Sequence, residues 1–253
     1  CIARYNIEKN KKFSWMENYF LRDLKPEMLK GKTLLDLGCF TGGRLSAWYE
    51  NYELEKAYGI DINPIFKVAA DEFALEKKIN ADFKIGIGEK LPYQDNFFDF
   101  VVSTDTFEHV QNLKITMDEC YRVLKPGGSL LAVFPQFLQP FESHLNFVTN
   151  LPCIHWFFNS DKVSKNYYEI LKERGESAKW YSGEKFSLEE WEKLPTLNGT
   201  SIRKFEKILD KNNWSNVKWI KRPILTDGRS SKKIFFRLLS FLFYPLVFIK
   251  YLD

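Results

Sequence analysis

The stretch Thr33-Leu34-Leu35-Asp36-Leu37-Gly38-Cys39-Phe40-Thr41-Gly42-Gly43 decides the fold of this chain. Its first five residues form a β-prone, mostly apolar run that stops at a glycine-containing turn. The pattern after the turn predicts a helix over Gly43–Asn51 and a second strand over Ala57–Ile60, closed by Asp61. Downstream, helices are predicted over Phe66–Lys78 and Leu113–Leu124, with strands over Asp82–Gly86, Phe98–Ser103 and Ser129–Phe134. The second of those helices places Leu113, Met117, Cys120, Tyr121 and Leu124 on one face, and Lys125-Pro126-Gly127-Gly128 reads as its stop and turn. Upstream, a helix over Phe13–Leu29 leads into the first strand. Strands alternating with helices imply a mainly parallel sheet with right-handed crossovers, a Rossmann-like doubly wound α/β fold.

The chain has 253 residues, 45% hydrophobic and 28% charged, enough for one α/β domain with an insertion. The regular alternation ends at Pro135 and resumes with a helix over Ser201–Lys211 and a strand over Val217–Ile220. A structureless loop of that length is improbable in a compact domain, so residues 136–200 read as an inserted, mainly helical cap. The expected organisation is a single domain over 1–253. It comprises an N-terminal helical segment (1–31), a cofactor-binding core (32–135), the cap (136–200) and a C-terminal part of the sheet (201–253). Aromatic residues reach 17%, with much of the excess after Phe134, and suggest an apolar pocket or a membrane-facing surface.

The formal charge of +4 is local. Lys221, Arg222, Arg229, Lys232, Lys233 and Arg237 face only Asp227 in their segment, so the rest of the chain is near neutral and nucleic acid is not the expected partner. The four cysteines, Cys1, Cys39, Cys120 and Cys153, form no metal-binding or disulfide pattern and suit a reducing cytoplasm.

An acid after the second strand, here Asp61, accepts hydrogen bonds from ribose hydroxyls in two classes of cofactor site. Two residues separate the classes. Phe40 stands where a dinucleotide loop needs a glycine for the pyrophosphate. Asp36 would repel a diphosphate and attract an ammonium group. Both favour a ligand with a ribose, no phosphate and a positive amine, a description that S-adenosylmethionine fits.

Leu34–Arg44 (LLDLGCFTGGR), Gly59-Ile60-Asp61, Glu89-Lys90-Leu91-Pro92-Tyr93 with Phe98-Asp99, Thr106-Phe107-Glu108-His109-Val110 and Arg122-Val123-Leu124-Lys125-Pro126-Gly127-Gly128 follow one another in order. Together they resemble the successive motifs of class I S-adenosylmethionine-dependent methyltransferases, in the small-molecule, ubiquinone-biosynthesis-like group. The resemblance covers about Lys32 to Phe134. It implies that Asp36 and the turn Gly38, Cys39, Phe40 and Thr41 hold the methionine part of the cofactor. Asp61 would hold the ribose, with Ile62 flanking the adenine and Gly88 and Glu89 along its edge. Ser103 and Thr104 would border the sulfonium. Ile87 stands where many relatives place an acid, so Glu89 or a backbone carbonyl would contact the adenine amino group. The family pattern also implies an antiparallel last strand, read here over Leu246–Tyr251.

Methyl transfer is an in-line displacement, in which orientation supplies up to ~7–11 kcal/mol of the barrier reduction. A base adds rate when the acceptor must lose a proton. His109 is the first candidate, since its motif follows the fourth strand; shaping the loop is the competing role. His144 in the cap is the second, with His155 beside it. Asp105, Glu108 and His109 match by spacing a metal-binding trio of some ubiquinone-pathway relatives, but no metal is expected. The aromatic cap points to a small-molecule or lipid/glycan-linked acceptor, methylated at oxygen. The alternatives are a non-catalytic cofactor-binding partner and an RNA methyltransferase. RNA is disfavoured because Ser103-Thr104-Asp105-Thr106 is not the Asn/Asp-Pro-Pro-aromatic motif of base amino methylation. The apolar run Lys232–Phe243, preceded by basic residues, leaves peripheral contact with the inner face of the membrane open.

Overall fold

The computed structural model describes residues 1–10, 14, 16–20, 24–135, 151, 154–159, 162, 165–166, 169–170, 173, 198–209, 214, 217–221 and 246–251. Its strands are β1 (Thr33–Leu37), β2 (Lys56–Asp61), β3 (Ala81–Ile85), β4 (Phe98–Thr104), β5 (Leu124–Phe134), β6 (Val217–Lys221) and β7 (Leu246–Tyr251). The helices are α1 (Ile2–Lys9), α2 (Gly43–Asn51), α3 (Pro64–Lys77), α4 (Leu113–Val123), the single turn α5 (Ile154–Phe157) and α6 (Ile202–Leu209).

The strands form one sheet in the order β3-β2-β1-β4-β5-β7-β6. β1 to β5 pair in parallel, whereas β7 runs antiparallel to both β5 and β6. The chain winds outward from β1 through β2 to β3, then crosses back to β4 on the other side of β1. That reversal opens a crevice at the carboxyl ends of β1 and β4, where open α/β sheets bind ligands.

Alternate side chains of the central strands feed two cores. Leu35, Leu37, Val101, Leu130 and Ala132 pack with Met117 and Cys120 of α4 and Phe205 of α6. Leu34, Phe100, Val102, Leu131 and Val133 pack with Leu45 and Trp48 of α2. Apolar residues on both sides of each strand are the mark of a buried parallel sheet. The helices start on built caps. The Asn63 side chain accepts from the Ile65 amide at 2.9 Å, with Pro64 as the first helical residue, and Asn112 caps α4 through Ile115 N at 3.2 Å.

Two readings change. The helix expected over Phe13–Leu29 is a π turn at Met16–Phe20 and a 3₁₀ turn at Pro26–Leu29. Pro26 drives Lys25 into extended backbone, which breaks the run. Ahead of it lies α1, which has a single buried residue, the charged Glu8, and so offered no apolar stripe. Lys125-Pro126-Gly127-Gly128 belongs to β5 rather than to a turn. The left-handed Gly127 (φ +78°) lets it bulge where the register against Phe98 and Phe100 shifts. Most of the cap, His144 included, and the run Lys232–Phe243 lie outside the described residues.

Candidate functional site

The end of β1 delivers a carboxylate into the crevice. Asp36 is 1% exposed, and its Oδ1 has no hydrogen-bond partner among the described residues. Burial pushes this carboxyl up to about 7, against the opposing pull of the Arg44 and Arg4 guanidiniums.

Beyond Asp36 the backbone turns on Gly38, whose φ is +79°. A Cβ there would collide with the Thr106 side chain, so glycine lets the loop after β4 lie directly on the loop after β1. The amides of Gly38 and Cys39 both donate to Ile60 O, at 2.9 and 3.1 Å, and pin the turn to β2. Cys39 is buried with its sulfur under Gly59, and burial raises its thiol well above the ordinary range. It can serve a ligand only through its backbone. Phe40 holds a left-handed φ of +52°, which accounts for the glycine usual in this place. Its ring packs against Phe66 at 4.0 Å between centroids, with the Arg4 guanidinium 4.5 Å from the ring centre. The Thr41 hydroxyl is buried without a hydrogen-bond partner among the described residues.

Asp61, at the end of β2, is half-buried and accepts from Phe40 N at 2.8 Å and Asn63 N at 3.0 Å. Burial raises this carboxyl, while the amides of Asn63, Phe40 and Ile62 oppose the shift. Ile62 beside it is 51% exposed, an uncovered apolar surface at the crevice. Gly88 is buried against Thr116. The Glu89 carboxylate accepts from Asn112 N at 2.9 Å, so it is committed to the start of α4. Ile87, 46% exposed, presents no acid at this edge.

Ser103 and Thr104 end β4. The Ser103 hydroxyl turns to Leu37 O at 3.3 Å, and the buried Thr104 Oγ1 lacks a partner among the described residues. The chain then enters Asp105 at a φ of +53°. In the loop that follows, Glu108 is buried and His109 is 27% exposed, with Nε2 3.6 Å from Glu108 Oε1. The structure thus places Asp36, Gly38–Thr41, Asp61, Ile62, Ser103 and Thr104 at the carboxyl ends of β1, β2 and β4, with the loop of His109 resting on Gly38 through Thr106. Among the described residues no group of three His, Cys, Asp or Glu side chains is placed to hold a metal ion.

Two residues of the site carried no role in the sequence. Arg44, 7% exposed on α2, has its Nε 3.7 Å from Glu8 Oε1, and Arg4 projects from α1 onto Phe40. Arg44 stands inside a motif and could have been weighed; Arg4 sits on a helix that the apolar pattern did not reveal.

Buried polar atoms without partners are rare and call for an explanation. Among the described residues, Asp36 Oδ1 and Thr104 Oγ1 at the ends of β1 and β4, and Thr41 Oγ1 in the turn after β1, are three such atoms. An acid near two guanidiniums suits a zwitterionic amino acid, and Asp61 beside exposed Ile62 suits a ribose next to a flat base. The residues present therefore fit S-adenosylmethionine.

The comparisons agree. Residues 35–132 match a family described as a methyltransferase domain. Over 109 residues the chain is 36% identical to phosphoethanolamine N-methyltransferase 3 of Arabidopsis thaliana, covering 43% of this chain and 21% of that protein. Over 142 residues it is 28% identical to the ubiquinone/menaquinone biosynthesis C-methyltransferase UbiE of Neisseria meningitidis, covering 54% of this chain and 58% of the relative. The chain thus spans from about a fifth to somewhat over half of these relatives. Among solved structures, the PH0226 protein of Pyrococcus horikoshii superposes with a TM-score of 0.56 at 20% identity, covering 99% and 91% of the two chains. YcgJ of Bacillus subtilis does so at 0.53 and 16%, covering 90% and 95%, and both share the fold. Residues 35–132 are thus similar to a methyltransferase domain, on a fold that solved methyltransferase-like structures share.

Proposed function

We propose that this protein methylates an oxygen of a small-molecule or lipid/glycan-linked acceptor. The observation that carries cofactor use is the buried carboxylate oxygen of Asp36 that finds no partner among the described residues. When bound, S-adenosylmethionine supplies an activated sulfonium methyl group. Asp36 would take the ammonium group, Arg44 and Arg4 the carboxylate, and Asp61 the ribose hydroxyls in exchange for its bond to Phe40 N. The Cys39 and Phe40 backbone would line the methionine part, and Ile62 the adenine. Thr104 would sit nearest the reacting centre, at the end of β4.

Oxygen is favoured because the loop after β4 pairs a partly exposed imidazole with a buried carboxylate. His109 can accept the proton of a hydroxyl acceptor, and Glu108 can steady the imidazolium that results. The chain leaves the sheet beside this loop, where Asp105 N donates to Val133 O at 2.9 Å, and returns to it at Asn198, whose amide donates to Glu108 O at 2.8 Å. Both ends of the segment 136–197 therefore lie on the acceptor side, which supports its reading as the acceptor-binding cap. The basic run Lys221–Arg237 would hold a lipid-linked acceptor at a membrane surface; no helix among the described residues is long and apolar enough to cross one.

The test is to incubate the protein with methyl-labelled cofactor and cell extract, then separate small molecules, lipids, glycans and RNA. Label on a hydroxyl of the small-molecule, lipid or glycan fraction is the expected result. Label in RNA, or none despite cofactor binding, would contradict it. With the acceptor found, His109→Ala is expected to lower kcat about 100- to 10,000-fold at unchanged cofactor affinity. An unchanged kcat would leave His109 a structural role.

A further inference from the structure

The loop Thr106–Val110 carries the candidate base, yet much of what holds it comes from far along the chain. Asn198 Nδ2 donates to Phe107 O at 2.7 Å and to Val110 O at 2.9 Å. Its backbone amide donates to Glu108 O at 2.8 Å. Three carbonyls of one short loop are thereby held by a single residue. The other atoms of Asn198 are also engaged. Its Oδ1 accepts from Thr200 N at 3.0 Å and from the Thr200 hydroxyl, and its carbonyl accepts from Lys204 Nζ at 3.0 Å, in the first turn of α6. An uncharged side chain with two donors on one atom and an acceptor on the next is what this arrangement needs, and a primary amide supplies it.

The loop has little other freedom. Phe107 is fully buried against Phe134, at 5.6 Å between ring centroids, and Phe134 packs on Phe205 of α6 at 5.3 Å. His109 N closes the loop onto Thr106 O at 2.9 Å. Thr106 in turn fills the space left by the missing side chain of Gly38. A contiguous set of contacts therefore runs from Asn198 through the backbone of Phe107, Glu108 and His109 to the turn after β1.

We infer that Asn198 is a positioning residue for methyl transfer: it sets the Glu108–His109 backbone, and so the place of the base relative to the cofactor turn. The inference rests on the methyltransferase reading. It gives the amide a role that packing alone does not, because the apolar contacts of Phe107 would persist without it.

The experiment compares Asn198→Ala and Asn198→Asp with Ser201→Ala, which removes only the side-chain acceptor for Lys204 N at 3.3 Å. Amide hydrogen exchange across residues 106–110, S-adenosylhomocysteine binding by calorimetry, and methyl transfer to the labelled fraction are measured on each. Both Asn198 variants are expected to lose at least about tenfold in exchange protection of the loop, and Ser201→Ala is not. S-adenosylhomocysteine affinity should stay within about threefold while transfer at saturating cofactor falls about 10- to 100-fold, the cost of a base displaced by a fraction of an ångström to an ångström. Asn198→Asp keeps the acceptor but loses both donors, so it should not rescue. Loop protection equal to that of Ser201→Ala, activity restored by Asn198→Asp, or cofactor affinity falling in step with the rate would overturn the assignment. If the unmodified protein binds no S-adenosylhomocysteine, the methyltransferase reading fails and the positioning role with it; loop exchange still reports the contact independently.

Discussion

Asp36 shows how a buried carboxyl costs the fold something. Its folded pKa of about 7 exceeds the value of 3.8 it has when exposed, because burial disfavours the charged form. The folded state then holds the proton more tightly, so the contribution of this group to stability is complete below pH ~4 and is lost as pH rises towards about 7. Asp36→Asn is expected to stabilise the ligand-free protein at pH 8 by about 2 kcal/mol, to change little at pH 4, and to abolish cofactor binding. Urea titrations at the two pH values check this; a variant less stable than the parent at pH 8 contradicts it. Asp36 and Asp61 stand at the ends of parallel strands, where a side chain reaches the crevice. Glu89 shows the limit of reading a role from the sequence. The family resemblance implies that it lies along the adenine edge, and one of its carboxylate oxygens also accepts from the Asn112 amide at the start of α4. A backbone donor that must be satisfied is not visible in residue type alone.

At the scale of elements, what was legible is what apolar periodicity can encode. β1, β2, β4 and α4 fall within a residue or so of their predicted limits because each buries a regular set of side chains. Helix α1 was missed because its anchor is polar. Glu8, 1% exposed, accepts from Ser14 Oγ at 2.6 Å and Trp48 Nε1 at 2.8 Å and lies 3.7 Å from Arg44 Nε. Glu8→Ala leaves Arg44 and Trp48 Nε1 buried without this carboxylate. It is expected to cost about 3 kcal/mol of stability, read from denaturant titration, and to weaken cofactor binding as Arg4 leaves Phe40. A loss under about 1 kcal/mol would mean that α1 is held by something else. The motif Arg122–Gly128 was legible as a family mark while its local work was not. Arg122 donates to Tyr93 O at 2.8 Å and Leu91 O at 3.0 Å, and so ties the Glu89–Tyr93 motif to α4. Lys125 Nζ meets Asp99 at 2.8 Å at the end of the sheet away from the crevice. Several motif residues are thus fasteners of the scaffold rather than ligands.

For the molecule as a whole, the strand order explains why function collects where it does. The reversal between β1 and β4 brings the turn after β1 and the loop after β4 edge to edge, and Gly38 lets them touch. A protein arranged this way can align a methyl donor and an acceptor. The acceptor stayed illegible because specificity belongs to side chains that meet a substrate, and no periodic pattern encodes them. The central claim is that the crevice binds a phosphate-free, amine-bearing ribonucleoside. Calorimetric titration with S-adenosylmethionine and with NAD, on the protein and on Asp61→Ala, tests it most directly. The account predicts micromolar-range binding of S-adenosylmethionine that Asp61→Ala largely removes, and no tight binding of NAD. Tight NAD binding with no response to S-adenosylmethionine would contradict it.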